Sequence, residues 1–290
     1  ATKTDPNRFL KIIYYLGKLA INEVTTSKKR IITFSPVLRE RLGQHIHGEI
    51  WASGIKKKLD EINLLERPIH IISANMHSVM NTIYSPFALT AEHKKHSAME
   101  IYEMLSDSKN TLLREKVMKY AAQNGLIYIK DNSGTNINVQ IIDTAKLPNT
   151  LTNSAIDAMP VLIVMDYAFG EQAFETLDEL LKPYKKSKKI INFLDVKSVS
   201  IMGKAGILEG GKGDIMLPSA HVFEGTADNY PFKNMLKKSH FEGEEIKVCK
   251  GAMITVLGTS LQNKDILKFF KNSTWNVVGL EMEGAHYQKA

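Results

Sequence analysis

Short, uninterrupted apolar runs punctuate the second half of the chain, and they limit its architecture more than any other feature. Val161-Leu162-Ile163-Val164-Met165 shows no polar alternation, the pattern of a strand covered on both faces. Val199-Ser200-Ile201-Met202, Asp214-Ile215-Met216-Leu217, Ile254-Thr255-Val256-Leu257 and Trp275-Asn276-Val277-Val278-Gly279-Leu280 read as further strands. Helical spacing separates some of them, at 171–181 (ended by Lys182-Pro183) and at 265–271. This alternation predicts an α/β domain with a largely covered central sheet over residues 155–290.

Residues 1–150 read as mostly helical. Phe9 to Leu16 opens one helix, and Glu49 to Leu65 repeats apolar residues at near-helical spacing until Pro68. Ile69 to Tyr84 reads as helical or mixed, with a break at Ser85-Pro86. Glu92 to Met104 and Thr111 to Asn124 are amphipathic, the latter closed by Gly125 in the position a helix C-terminus favours. Leu126 to Ile129, the turn Asp131-Asn132-Ser133-Gly134 and Ile137 to Ile142 predict a β-hairpin. Turn formers between Lys146 and Ser154 mark the expected seam between the two regions.

Lys plus Arg exceed Asp plus Glu by 38 − 31 = 7. The surplus is scattered in short lysine pairs without interleaved aromatics, so nucleic acid is not the expected partner. The single cysteine, Cys249, excludes an internal disulfide and reads as a small buried hydrophobe in a strand. No apolar run reaches the roughly 18 residues of a membrane helix, and the opening residues do not read as a charged-then-apolar signal peptide, so none is expected. A cytoplasmic protein that does not span a membrane is the expectation. His45, His47, Glu49, His70 and His77 invite a metal reading, but their spacing supplies no complete ligand set, and no metal is expected.

The stretch with the most chemical content is Val277 to Ala285. Glu281 and Glu283 flank Met282 where an apolar strand ends and small residues begin. Carboxylates at the C-terminal end of a strand in an α/β sheet face the crevice where ligands bind, and one carboxylate can accept hydrogen bonds from two adjacent hydroxyls. Taken alone, the pair reads first as surface charge. Asp166, Tyr167 and Glu171 follow the strand at 161–165; Glu171 is placed to activate water, or is a surface carboxylate in a first helical turn. His221 and Glu224 lie in a loop context near Gly225-Thr226-Ala227-Asp228, and Tyr230-Pro231-Phe232 reads as core, lid or contact.

Glu281-Met282-Glu283-Gly284-Ala285 resembles the Glu-Met-Glu-small-small signature of the nucleoside phosphorylase and nucleosidase superfamily. Ile201-Met202-Gly203-Lys204-Ala205-Gly206-Ile207-Leu208 and Gly213-Asp214-Ile215-Met216-Leu217-Pro218 resemble its Gly-x-x-Gly loop and the following strand. Gly258-Thr259-Ser260-Leu261 is similar to its nucleobase-contacting loop, and Val161 to Gly170 to its opening strand. The likeness covers residues 155–290.

The resemblance implies a phosphorylase-like three-layer α/β/α fold for that region, beside a mainly helical N-terminal region carrying the hairpin. It implies that Glu283 holds the ribose hydroxyls, with Met282 on the sugar and Glu281 in support. Gly203, Lys204 and Gly206 would form the ligand loop, and Thr259, Ser260 and Leu261 would lie beside the base; Glu171, from its own place after the strand at 161–165, is the further catalytic candidate beside Glu283. The substrate would be a purine nucleoside or nucleotide derivative cleaved at its N-glycosidic bond, with phosphate as possible co-substrate, no other cofactor, and a homo-oligomeric protein. Ser200-Ile201-Met202 carries no arginine before the loop, which leaves Lys204 as the phosphate anchor, and Leu261 stands where relatives often place an aromatic. The helical pattern is still running at Gln288-Lys289-Ala290, before the position where the superfamily places its base-side acid, so the expectation is either further chain or a missing acid. A sensor that binds without turnover, or an oligomeric scaffold with a vestigial site, are the alternatives.

Overall fold

The computed structural model describes residues 6–27, 45–148, 159–185, 191–226, 228–243, 246–258 and 263–290. Residues 1–43 and 44–290 form separate compact units. In the first, helix α1 (Pro6–Thr26) exposes Leu10, Ile13, Tyr14, Tyr15 and Leu16.

The second unit begins with α2 (His45–Glu61). The apolar segment before Tyr84 then resolves as mixed: β1 (Ile69–Ser73) is a strand, and α3 (Met76–Ala88) follows it. Asn75 starts α3 by accepting a hydrogen bond from the Ser78 amide at 3.0 Å, the capping that orphan helix N–H groups require. The expected break at Ser85-Pro86 does not occur, because Pro86 lies in the last turn of α3. Next come α4 (Thr90–His93), α5 (Ala98–Ser106) and α6 (Thr111–Gln123). A complete capping box between Ser97 and Glu100 opens α5. Gly125, at φ +96°, ends α6 in the left-handed conformation glycine tolerates best.

β2 (Leu126–Ile129) and β3 (Val139–Asp143) form the expected antiparallel pair. β4 (Val161–Met165), α7 (Gln172–Leu181), the short ribbon β5 (Tyr184–Lys185) with β6 (Ile191–Asn192), and β7 (Val196–Ile201) follow. The first sheet runs β2-β3-β4-β1-β7, with β1 parallel to both β4 and β7. The expected seam falls largely on residues 149–158, outside the described residues, and the strands on either side of it, β3 and β4, are paired neighbours. Residues from both expected domains therefore build one sheet.

That sheet is the middle of three layers. On one face Trp51, Ile55 and Leu59 of α2 and Ala173, Leu177 and Leu180 of α7 pack on Ile69, Ile71, Ile141 and Ile163. On the other face Met80 and Tyr84 of α3, Ile101 of α5 and Val117 of α6 pack on Leu126, Ile142 and Val164. Burial on both faces explains why β4 reads as a continuous apolar run.

A second sheet contains β8 (Gly206–Ile207), β9 (Ile215–Phe223), β10 (Asn229–Pro231), β11 (Val248–Thr255) and β12 (Val277–Glu281), in the order β10-β9-β11-β12-β8. Between β11 and β12, α8 (Lys264–Lys271) puts Phe270 against Ile254, Val277 and Leu280. Cys249 is buried, its thiol directed at the Glu209 carbonyl at 3.4 Å. The chain closes with α9 (Gly284–Lys289). Among the described residues, no helix is long and apolar enough to cross a membrane.

Candidate functional site

β1, β4 and β7 run parallel in the first sheet, as do β9, β11 and β12 in the second. Two short links bring their C-terminal ends together. Tyr287 of α9 is buried in the core of the first sheet, and its hydroxyl meets that of Ser73, the last residue of β1, at 2.7 Å. The Gly170 amide, in the turn after β4, donates to Glu283 Oε1 at 3.2 Å. The loop Met202–Ala205 also joins the sheets: Met202 N donates to Ser73 O at 2.9 Å, and Gly206 pairs with Leu280 of β12.

The two glutamates have different surroundings. Glu281 is 10 % exposed, and four donors converge on its carboxylate: the Thr255 hydroxyl, His221 Nδ1 at 3.3 Å, the Glu283 amide at 2.5 Å and the Gly284 amide. Thr255 in turn accepts from the Ala285 amide at 2.9 Å. Burial by itself would push the Glu281 carboxyl up, but the bonds from His221, Thr255 and the backbone hold it below its ordinary value. Glu281 thus organises the turn from β12 into α9.

Glu283 is half-buried, and its carboxylate accepts from the Gly170 amide at 3.2 Å and from the Met282 backbone. Burial, together with the charge of Glu281, raises its carboxyl above the ordinary value. A carboxylate accepts about four hydrogen bonds, so Glu283 keeps capacity for a ligand that Glu281 has already spent. His286, one helical turn beyond Glu283, rests edge-on against Phe223 at 4.8 Å, and burial lowers its imidazole despite the charges of Glu171 and Glu281.

His221 is 7 % exposed and stacks on Phe232 with ring centroids 5.5 Å apart. Gly284 admits that ring: a Cβ at 284 would overlap His221. Phe223 also meets Tyr230 of β10 edge-on at 6.1 Å, so 230–232 lines the back of this cluster.

The other expected site residues lie around the same C-terminal strand ends. Met282 is partly buried against the Ile254–Phe270 core cluster. Glu171 is exposed at the start of α7, Gly203 and Lys204 are exposed between β7 and β8, and Gly206 lies in β8. Glu224 accepts from the Leu257 amide at 3.2 Å, fastening the ends of β9 and β11. Asp166 accepts from the amide of Tyr167 at 2.9 Å. Thr259, Ser260 and Leu261 lie outside the described residues.

The metal candidates stay apart. His47 Nδ1 lies 2.7 Å from Ser133 O, His70 Nδ1 lies 2.6 Å from Ser198 Oγ, and His77 is exposed. Among the described residues, no group of three or more His, Cys, Asp or Glu side chains is placed to hold a metal ion.

Sequence reasoning passed over Ser73, Thr255, Tyr287 and His286. Thr255 carried a signal, as the one polar residue in Ile254-Thr255-Val256. Ser73 carried none until β1 is known to be a strand.

Residues 97–290, more than half of the chain, match a family of unknown function (DUF6909), and the chain belongs to that family. The match takes in β2 to β12 and the whole Glu281–Ala285 turn. Among curated proteins, nothing matches the chain.

Proposed function

We propose that the crevice where the two sheets meet binds a purine nucleoside or nucleotide and acts on its N-glycosidic bond. The observation that carries this reading is the unspent carboxylate of Glu283, anchored by Gly170 and standing where the C-terminal ends of both sheets converge. The resemblance of Glu281 to Ala285 to the nucleoside phosphorylase and nucleosidase signature supplies the ligand class.

In this reading the ribose 2′- and 3′-hydroxyls donate to Glu283, replacing water that burial already holds poorly. Cleavage breaks the bond between C1′ and the base nitrogen. The base leaves with a proton, and C1′ gains an oxygen from phosphate or from water. Positive charge develops on the sugar in between, and a fixed anion beside it lowers that barrier. Lys204 is the phosphate anchor on the loop from β7 to β8. Glu171, at the rim, is the candidate to activate water. A homo-oligomer belongs to the same proposal.

Binding without turnover is the second reading. It is favoured by Lys204 being an exposed point charge, since no arginine in Ser200-Ile201-Met202 supplies bidentate phosphate contacts. Free-base release from a panel of nucleosides and nucleotides, followed by chromatography with and without phosphate, separates the two. Release that is lost in Glu283→Gln supports catalysis at this crevice. No release, with thermal stabilisation by the same compounds, supports a sensor. Neither release nor stabilisation removes both.

A further inference from the structure

A different part of the fold carries an unfilled recognition surface. β2 is an outermost strand of the first sheet, at the opposite edge from β7. Gly125 O accepts from Asp143 N at 2.9 Å. By the alternation of an antiparallel ladder, the backbone N–H and C=O of Leu126 and Tyr128 then point away from β3. Among the described residues, no strand lies beyond them.

Alongside this edge, α2 turns a stripe of Ile50, Gly54, Lys57 and Lys58 toward a cleft of about 320 Å³. Of the residues lining it, Ile50 and Tyr128 are 51 % and 53 % exposed. Trp51 is fixed beneath by its indole bond to Ile137 O at 2.8 Å. Gly54 lies inside α2, where glycine is the poorest residue after proline, yet a Cβ there would meet nothing within 4 Å. Packing of the fold therefore does not require glycine at 54, and the space over it is open to a side chain from outside the fold.

The rim is basic. Glu61 is paired with Lys58 at 3.5 Å. The Asp131 carboxylate is turned into its own loop, accepting from Ser133 N and Oγ, Gly134 N and Asn136 N. Lys57 and Lys130 are exposed and, among the described residues, have no acidic partner. A second copy of this edge would bring lysine against lysine, the usual protection of edge strands from self-pairing.

We propose that this edge docks an extended acidic peptide: its backbone pairs with β2, an apolar side chain enters the cleft over Gly54, and its carboxylates meet Lys57 and Lys130. Strand addition gives such a partner affinity through the main chain and selectivity through alternate side chains.

The test is fluorescence anisotropy with a labelled peptide of alternating Glu and Val, roughly eight residues long. Saturable binding is expected, at least ~10-fold weaker for K57E/K130E and weaker still for Gly54→Leu, whose melting temperature should be unchanged or higher. Hydrogen exchange at the Tyr128 amide should slow in the complex. Absence of binding would overturn the proposal, as would equal binding of a Lys-Val peptide or an all-Glu peptide. So would full retention of affinity by K57E/K130E, or by a peptide N-methylated at alternate residues. Self-association that disappears in the lysine variant would assign the edge to a second copy instead.

Discussion

Glu281 and Glu283 look interchangeable in sequence, and replacing each by alanine should give opposite results. At Glu281 the substitution leaves four donors facing a cavity: the Thr255 hydroxyl, His221 Nδ1, and the amides of Glu283 and Gly284. A buried donor stripped of its acceptor costs about 1–3 kcal/mol, and some of the four will find water. The loss should therefore be roughly 3–5 kcal/mol, a large part of the total stability of a domain. At Glu283 the two backbone bonds from Gly170 and Met282 are lost, but a carboxyl disfavoured by burial is removed and both amides lie where water can reach, so the change should stay within about 1 kcal/mol, while ligand binding disappears. Urea titrations of wild type and both variants, at pH 7 with equal slopes, read the difference directly. If Glu281→Ala unfolds within about 1 kcal/mol of wild type, the carboxylate does not organise the turn, and the division of labour between the two glutamates is wrong.

Gly284→Ala should destabilise by about 1–3 kcal/mol, because the new Cβ must displace His221 from Glu281; a melting temperature equal to wild type would show the ring has room elsewhere. Buried Lys56 donates to the carbonyls of Glu179 and Lys182 at 2.6 Å each, capping the end of α7, and burial lowers its amine to about 8. Between pH 8 and its ordinary value of 10.5 the unfolded chain holds that proton while the folded chain releases it. Stability should therefore rise with pH through this window, by up to about 1.4 kcal/mol per unit, and Lys56→Met should flatten the rise in alkaline urea titrations. If base release proves phosphate-dependent, Lys204→Ala should raise the phosphate concentration required by ~10-fold or more, with nucleoside affinity unchanged in calorimetry.

Elements with a strong local pattern were legible. The pair β2 and β3, the helix at 111–123 and the strand at 161–165 form as their patterns predict, since alternation, a closing glycine and a continuous apolar run each report burial directly. Ile69-His70-Ile71-Ile72-Ser73 was ambiguous for a physical reason: five residues are too few for periodicity to separate a central strand from a helical turn. Resolving it as β1 changes the architecture, because the three-layer sandwich forms around β1 from residues on both sides of the expected seam. The site was legible in its motif but not in its roles. Nothing local distinguishes Glu281 from Glu283; His221 lies 60 residues away along the chain and reaches Glu281 only through the pairing of β9, β11 and β12.

The same geometry that separates the roles also separates the protons. Glu281 is held below its ordinary value of 4.5, so its contribution is complete at neutral pH and is lost only as pH falls through its lowered folded value. Glu283 is raised, so it stabilises the fold when protonated at low pH, and that contribution is lost as pH rises through its raised folded value. Burial keeps the neighbouring His286 neutral to lower pH than usual. Two carboxylates two residues apart therefore titrate in different ranges, the arrangement by which sites assign one group to structure and another to exchange with a ligand. A ligand that hydrogen-bonds to ionised Glu283 should bind more weakly as pH falls through that raised value, well before Glu281 begins to release the turn. A binding profile whose acid limb coincides with unfolding instead would mean that the two carboxylates titrate as one unit.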